Sequence, residues 1–116
     1  FFLEIPYTPA KDLMDNDIPV ALATDFNPGS TPSGNMNFVF SLACIKMKMT
    51  PEQALNAMTI NGAAAIELTH ECGSITKGKL ANFILTDKIK SLSFLPYAFG
   101  NNHIDTVYIN GEKFSA

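Results

Sequence analysis

The chain has 116 residues, of which 47% are apolar and 16% charged, and it carries a formal net charge of −3. That length suits one ordinary domain or a piece of a larger one, and the apolar content excludes a disordered chain. Charge this sparse, against roughly 25% in soluble domains, predicts that part of the surface is buried against something else. The negative balance argues against nucleic acid as a partner, because Lys77, Lys79, Lys88 and Lys90 are no more than loose neighbours in sequence. No apolar run approaches the ~18 residues of a membrane span, and Glu4 cuts off Phe1-Phe2-Leu3 too early for a signal-peptide core. A membrane partner is therefore not expected and a cytoplasmic location is. Cys44 and Cys72 form no C-x-x-C pair and flank no His at ligand spacing, so both read as free thiols in a reducing cytosol. The first residue is Phe1 rather than Met, which reads as processing or as a piece of a longer protein.

In chain order, residues 10–15 have the look of a short helix, which Asp17 and Pro19 break. Val20-Ala21-Leu22-Ala23 is a continuous apolar run bounded by punctuation, as expected of a strand buried on both faces of a parallel sheet. Helix, turn and buried strand together point to α/β. Asn27-Pro28-Gly29-Ser30-Thr31-Pro32-Ser33-Gly34 must be a loop, and loops after buried parallel strands are where α/β proteins build their sites. A helix is predicted over residues 37–48, with Phe38, Leu42, Ile45 and Met49 on one face. Thr50-Pro51-Glu52-Gln53 combines an N-cap hydroxyl, a proline at the first helical position and a capping-box Gln. The helix that follows should run toward Glu71 and stop at Gly73, with Ala63-Ala64-Ala65 letting another element approach closely. Beyond it the period becomes that of strands: a short strand and turn at residues 73–80, a strand at 81–86 and another at 106–109. Asn110-Gly111 is a strong two-residue hairpin signal, so the last third reads as antiparallel β. Residues 91–103, with Pro96, Gly100 and three aromatics, read as an irregular connection.

One constellation carries chemistry. Asp25 stands at the carboxyl end of the expected strand, where a carboxylate can ligate a divalent metal or shuttle a proton, and the Gly29 and Ser30 amides can point at a substrate oxygen. Asp25 and Asn27 fit Asx-turns at a strand-to-loop corner equally well. His70 reads as a helix-end cap and His103 as an exposed loop residue, rather than as metal ligands. The methionines read as adaptable core. Ser30 has no His nearby for a triad, and Asn61 is placed to satisfy a buried backbone group. No phosphate-cradling glycine loop is present.

The run Ile18-Pro19-Val20-Ala21-Leu22-Ala23-Thr24-Asp25-Phe26-Asn27-Pro28-Gly29-Ser30 closely resembles the last barrel strand and its loop in the imidazolonepropionase family of metal-dependent amidohydrolases. Ser41-Leu42-Ala43-Cys44, Met49-Thr50-Pro51-Glu52-Gln53-Ala54-Leu55, Thr59-Ile60-Asn61-Gly62-Ala63-Ala64-Ala65, Gly73-Ser74-Ile75, Lys77-Gly78-Lys79-Leu80-Ala81-Asn82 and Phe94-Leu95-Pro96-Tyr97-Ala98-Phe99-Gly100 extend the resemblance over essentially the whole chain. Ala98 stands where the family often has His, and Gly62 where Ala is common. The resemblance implies a C-terminal fragment of a (β/α)8 TIM-barrel hydrolase. Residues 1–72 would hold the last strand, at residues 20–24, and the C-terminal helices. Residues 73–116 would hold strands of a small composite β-sandwich. A barrel needs at least ~200 residues, so the N-terminal barrel portion, with its His-x-His pair, would be missing.

The implied reaction is hydrolysis of 4-imidazolone-5-propanoate to N-formimidoyl-L-glutamate in histidine degradation, at one Zn2+ or Fe3+ per full-length subunit. Asp25 would be the metal-binding and catalytic carboxylate. Asn27 and Gly29 would contact the N-formimidoyl-glutamate part, and Ser30 the imidazolone propanoate. Alone, the fragment is expected to be inactive, and a homodimer is a possible assembly. The competing readings are another cyclic amidase or deaminase of the superfamily, or a non-catalytic interaction module.

Overall fold

The structure, a computed structural model, describes residues 1–114. In chain order it contains α1 (Ala10–Asp15), α2 (Met36–Ile45), α3 (Pro51–Met58), α4 (Ile60–Ala65), β1 (Phe83–Thr86), α5 (Phe94–Tyr97), β2 (Ile104–Ile109) and β3 (Glu112–Phe114). The strands form one antiparallel sheet in the order β1-β2-β3. The helices pack through a core of Ala10, Phe40, Ala43, Met49, Ala54 and Ala57, with Met14, Val20, Leu22, Cys44, Met47, Met58 and Leu95 against it.

Local chemistry explains the starts of α2 and α3, the break between α3 and α4, and the end of α4. Asn35 caps α2 by accepting from the Asn37 and Phe38 amides at 3.0 and 3.2 Å, so this helix starts one residue before the expected span. The capping box at α3 is complete: the Gln53 amide donates to Thr50 Oγ1 at 3.2 Å and the Thr50 amide to Gln53 Oε1 at 2.8 Å. The single long helix expected beyond it is instead two. The Thr59 hydroxyl donates back to the Leu55 carbonyl at 2.7 Å, a bond that bends helices, and Thr59 itself leaves helical geometry. Helix α4 then ends at Ala65, well before Gly73, and Glu67 just beyond it adopts φ 62°. The amides of Glu67 and Leu68 return to the Ala64 and Ala63 carbonyls, the paired bonds of a left-handed helix stop. His70 consequently lies in a turn outside any helix, exposed and 3.3 Å from Glu71 Oε1, and does not serve as a helix-end cap.

Gly73 has a different task. At φ +87° it passes so close to α4 that a Cβ there would stand 2.7 Å from Ala63 Cβ and 3.1 Å from the Thr59 carbonyl oxygen. The alanine run does admit a close neighbour. The segment after it forms no strand. Lys79 donates its amide to the Thr76 carbonyl, Gly78 takes φ +95°, and Leu80 closes the loop onto the Glu71 carbonyl. A glycine at positive φ in the third position of such a turn is required by its geometry.

In the sheet, Phe83 stacks on Tyr108 with ring centroids 4.7 Å apart. Asn110 and Gly111, both at positive φ, make the β2–β3 turn. It is tied to the start of β1 by the Gly111 amide to the Ala81 carbonyl (3.0 Å) and the Asn110 amide to Asn82 Oδ1 (2.7 Å). The connection at residues 91–103 holds one helical turn, α5, which Ser41 Oγ joins to α2 by donating to the Pro96 carbonyl at 3.2 Å. His103, expected to be exposed, is half-buried. Its ring lies 5.4 Å from that of Phe94, and Nε2 is buried without a hydrogen-bond partner.

The reading of residues 20–23 is corrected. Residues 20–23 form no strand and are not buried on both faces, since Ala21 and Ala23 are exposed. A strand exists only with a neighbour to pair with, and none stands beside it among the described residues. The named strands of residues 1–114 make one three-stranded antiparallel sheet, which does not by itself display the barrel or sandwich fragment that the resemblance implies. Both cysteines are free, as expected.

Gly73→Ala is expected to cost about 2 kcal/mol or more, from overpacking and a strained φ, whereas Thr50→Ala should cost about 1 kcal/mol as a lost N-cap. Denaturant midpoints rank the two, and equal losses would refute the close-approach role of Gly73. Burial of the Cys44 thiol, followed by the charge of Glu52, raises its pKa. A pKa raised by folding stabilises the protonated fold below the ordinary thiol range and withdraws that stability as pH climbs through the folded value. Alkylation of native Cys44 should therefore need higher pH than alkylation of the unfolded chain, which a pH–rate profile for each state measures.

Candidate active site

Residues 18–24 run extended toward Asp25 and are held from the helices. Asn61 Nδ2 donates to the Val20 carbonyl at 2.8 Å, and the Leu22 amide donates to the Ala57 carbonyl at 3.0 Å. Asn61 thus does satisfy a backbone group. Asp25 follows at φ 53°, a left-handed conformation that Asp tolerates better than most residues, and its side chain is exposed.

The loop beyond is organised by one carboxamide. Asn27 Oδ1 accepts from the Gly29 amide (3.0 Å), the Ser30 amide (2.8 Å) and Ser30 Oγ (3.2 Å), while Asn27 Nδ2 donates to the Asp25 carbonyl at 2.7 Å. Asn27 and Thr31 also exchange backbone bonds, at 3.0 and 3.3 Å, which close residues 27–31 on themselves. The Asx-turn geometry is realised at Asn27, and the Gly29 and Ser30 amides are directed at its oxygen. Gly29 packs tightly there, since a Cβ would lie 3.3 Å from Asn27 Oδ1.

Gly29 and Ser30 also line a groove of about 380 Å³. The hydroxyl-bearing residues Ser30, Thr31 and Ser33 form one side and the rings of Phe1, Phe2 and Phe38 another, with Phe1 packed edge-on against Phe38 at 5.4 Å. Asn27, Gly29 and Ser30 are therefore brought together, whereas Asp25 joins them through its backbone and does not line the groove. Sequence reading missed the aromatic side. Phe38 was accounted for by the apolar face of its helix, and no spacing in the sequence brings Phe1 and Phe2 to it.

Among the described residues no group of three or more His, Cys, Asp or Glu side chains is placed to hold a metal ion. The chain offers Asp25 as one hard oxygen donor, which suits a single ligand position of a site that needs about three. No helix of the described residues is long and apolar enough to cross a membrane.

The model of the amidohydrolase family matches residues 3–113. The imidazolonepropionase of Christiangramia forsetii is 70% identical over 111 residues, covering 96% of this chain and 27% of that protein. The imidazolonepropionase of Flavobacterium johnsoniae is 63% identical over 112 residues, covering 97% of this chain and 27% of its own length. The chain thus spans about a quarter of the length of these curated relatives. Among solved structures, an adenosine deaminase from Xanthomonas campestris with bound zinc superposes at a TM-score of 0.81 with 27% identity, over 92% of this chain and 28% of that one. Guanine deaminase from E. coli shares the fold at a TM-score of 0.79 and 18% identity, over 98% of this chain and 31% of its own. With nearly every residue from the extended segment to the hairpin covered by the family model, the chain belongs to the amidohydrolase family.

Proposed function

We propose that this chain is the C-terminal part of an imidazolonepropionase and contributes Asp25 and the groove-lining Ser30 to its active site. The observation that carries the reading is 70% identity over 111 residues to a protein of that name. Residues 1–72 would supply the end of the barrel and residues 73–116 strands of the sandwich. An apolar groove of about 640 Å³ between α3, α4 and β1, lined by Leu55, Met58, Ile66, Ile75 and Ile84, supports this arrangement as a face made to be covered. The two free thiols agree with a cytoplasmic location.

In the reaction a ring amide C–N bond of 4-imidazolone-5-propanoate breaks. The hydroxyl of water passes to the carbonyl carbon, which becomes the carboxylate of N-formimidoyl-L-glutamate, and a proton passes to the released nitrogen. A bound Zn2+ or Fe3+ supplies Lewis-acid polarisation and a water acidic enough to react at neutral pH. The part of this chain is narrower. The Asp25 carboxylate serves as one ligand and as the base that holds the proton during ring opening. The Ser30 hydroxyl, already donating to Asn27 Oδ1, offers its lone pairs to a donor on the substrate across the groove. Phe1, Phe2 and Phe38 give the groove its apolar side. A deaminase reading draws on the likeness to the Xanthomonas enzyme, but 27% identity there stands against 70% to the imidazolonepropionase, so cyclic-amide hydrolysis comes first.

In the full-length enzyme, Asp25→Asn is expected to lower kcat at least about a hundredfold, the scale of lost acid–base help, with the fold intact by circular dichroism. Near-normal turnover would refute the assignment. Ser30→Ala should mainly raise KM, as a contact made equally in ground and transition states does. The isolated chain should show no stoichiometric Zn2+ uptake by calorimetry. Tight binding that disappears in Asp25→Ala would show that its donors suffice.

A further inference from the structure

We propose that Thr31 is a specificity-determining residue whose hydroxyl donates a hydrogen bond to the ring of a neutral cyclic amide held in the groove beside Ser30. The inference rests on the active-site reading above and deepens it by naming the part of the substrate that the groove takes. No side chain lining the groove is ionisable, so a carboxylate placed there would lose its water without gaining a charged partner. The propanoate arm of the substrate is therefore directed elsewhere. Its uncharged ring is the part that fits between the hydroxyls and the rings of Phe1, Phe2 and Phe38.

The three hydroxyls along the groove are not equivalent. Ser30 Oγ spends its hydrogen on Asn27 Oδ1 at 3.2 Å and keeps only lone pairs for a ligand. Ser33 Oγ accepts from the Asn35 amide at 3.3 Å, a bond that serves the turn into α2, and Ser33 is exposed to competing water. Thr31 is half-buried, yet its Oγ1 makes no hydrogen bond to any of the described residues. Its backbone is fixed all the same: the Thr31 amide donates to the Asn27 carbonyl at 3.3 Å, and the Thr31 carbonyl accepts from the Asn27 amide at 3.0 Å. The branched Cβ restricts the side chain further. Thr31 Oγ1 is thus an oriented donor with no partner in its own loop. Ser30 and Thr31 form a complementary pair, the first accepting and the second donating. A cyclic amide carries the matching pair on one edge, an N–H beside a carbonyl oxygen. A ring of the same shape without those groups leaves both hydroxyls unpaired, and discrimination arises there. Asn27 Nδ2 retains an N–H beyond its bond to the Asp25 carbonyl, so a ligand contact at Asn27 is compatible with this one.

The test is made in the full-length enzyme with Thr31→Val, which keeps the shape and removes the hydroxyl, and Thr31→Ser, which keeps the hydroxyl. Calorimetry measures the affinity of each for two probes, hydantoin-5-propanoate and cyclopentanepropanoate. The probes share ring size and acidic arm, and only the first carries N–H and C=O groups on its ring. The parent should prefer the hydantoin. Thr31→Val should lower that preference about fivefold to tenfold, the weight of one hydrogen bond, and lower kcat/KM for the imidazolone by a similar factor. Thr31→Ser should bring both back toward the parent. A mere loss of fit would weaken the two probes equally and leave the preference where it was. The proposal is overturned if the parent shows no preference, if Thr31→Val keeps it within about twofold of the parent, or if serine does no better than valine. Should Thr31→Val fail to fold, Thr31→Ala decides on the same criteria. If the parent does not hydrolyse the imidazolone yet the preference responds as expected, the reaction assignment fails and the Thr31 contact stands. If it hydrolyses the imidazolone and the preference does not respond, the assignment stands and the contact falls.

Discussion

The extended backbone of residues 18–24 has no neighbouring strand among the described residues, so its polar groups need partners of another kind. It finds them in the Asn61 carboxamide at the Val20 carbonyl and the Ala57 carbonyl at the Leu22 amide. These two bonds join the segment to α3 and α4, and through them to the capped start of α3 at Thr50. The position of Asp25 relative to the helices is therefore fixed within this chain, ahead of any contribution from elsewhere. Asn61 interrupts an otherwise apolar helix face because it is the clasp.

The interior those helices enclose is made of small groups. Among the described residues the most completely buried are Ala10, Ala43, Ala54 and Ala57, and no large side chain is fully buried. Methyl groups let backbones approach, as Gly73 does over Ala63, but they bury little apolar area each. The accessible surface is 8348 Å², against about 6,200 Å² expected of a compact monomer of this mass. The excess is carried by large apolar side chains such as Ile75, 89% exposed, and Phe26, 67% exposed. A sparse charge content and an apolar surface are the same fact seen in composition and in space.

What the sequence made legible were features closed by residues near one another. The Thr50–Gln53 box, the Asn110-Gly111 turn, helix α1 and the antiparallel pairing of the last third each depend on a few adjacent side chains or on simple alternation. Asn61 was legible for the same reason, as a polar residue on an apolar helical face. The misses have physical causes of two kinds. Residues 20–23 have the composition of a buried strand, yet pairing is a property of neighbours rather than of the segment. The helix boundaries at Thr59 and Glu67 arise from a side-chain back-bond and a non-glycine left-handed residue, neither of which composition announces. At the site, the spacing Asp25, Asn27, Gly29, Ser30 was visible. That Asn27 Oδ1 draws in both amides depends on a rotamer, and no sequence pattern specifies one.

The sheet has two open edges, and they differ. On one side β3 is three residues long and carries Glu112 and Lys113, the kind of short, charged strand that discourages further pairing. On the other, β1 presents Phe83-Ile84-Leu85-Thr86 without a charge, with Ile84 and Leu85 about half exposed and the bulge near Thr86 as the one irregularity. An uncharged, apolar edge is a template for a strand from another molecule. Charged residues placed at that edge would act on strand-to-strand self-association without touching Asp25 or its loop.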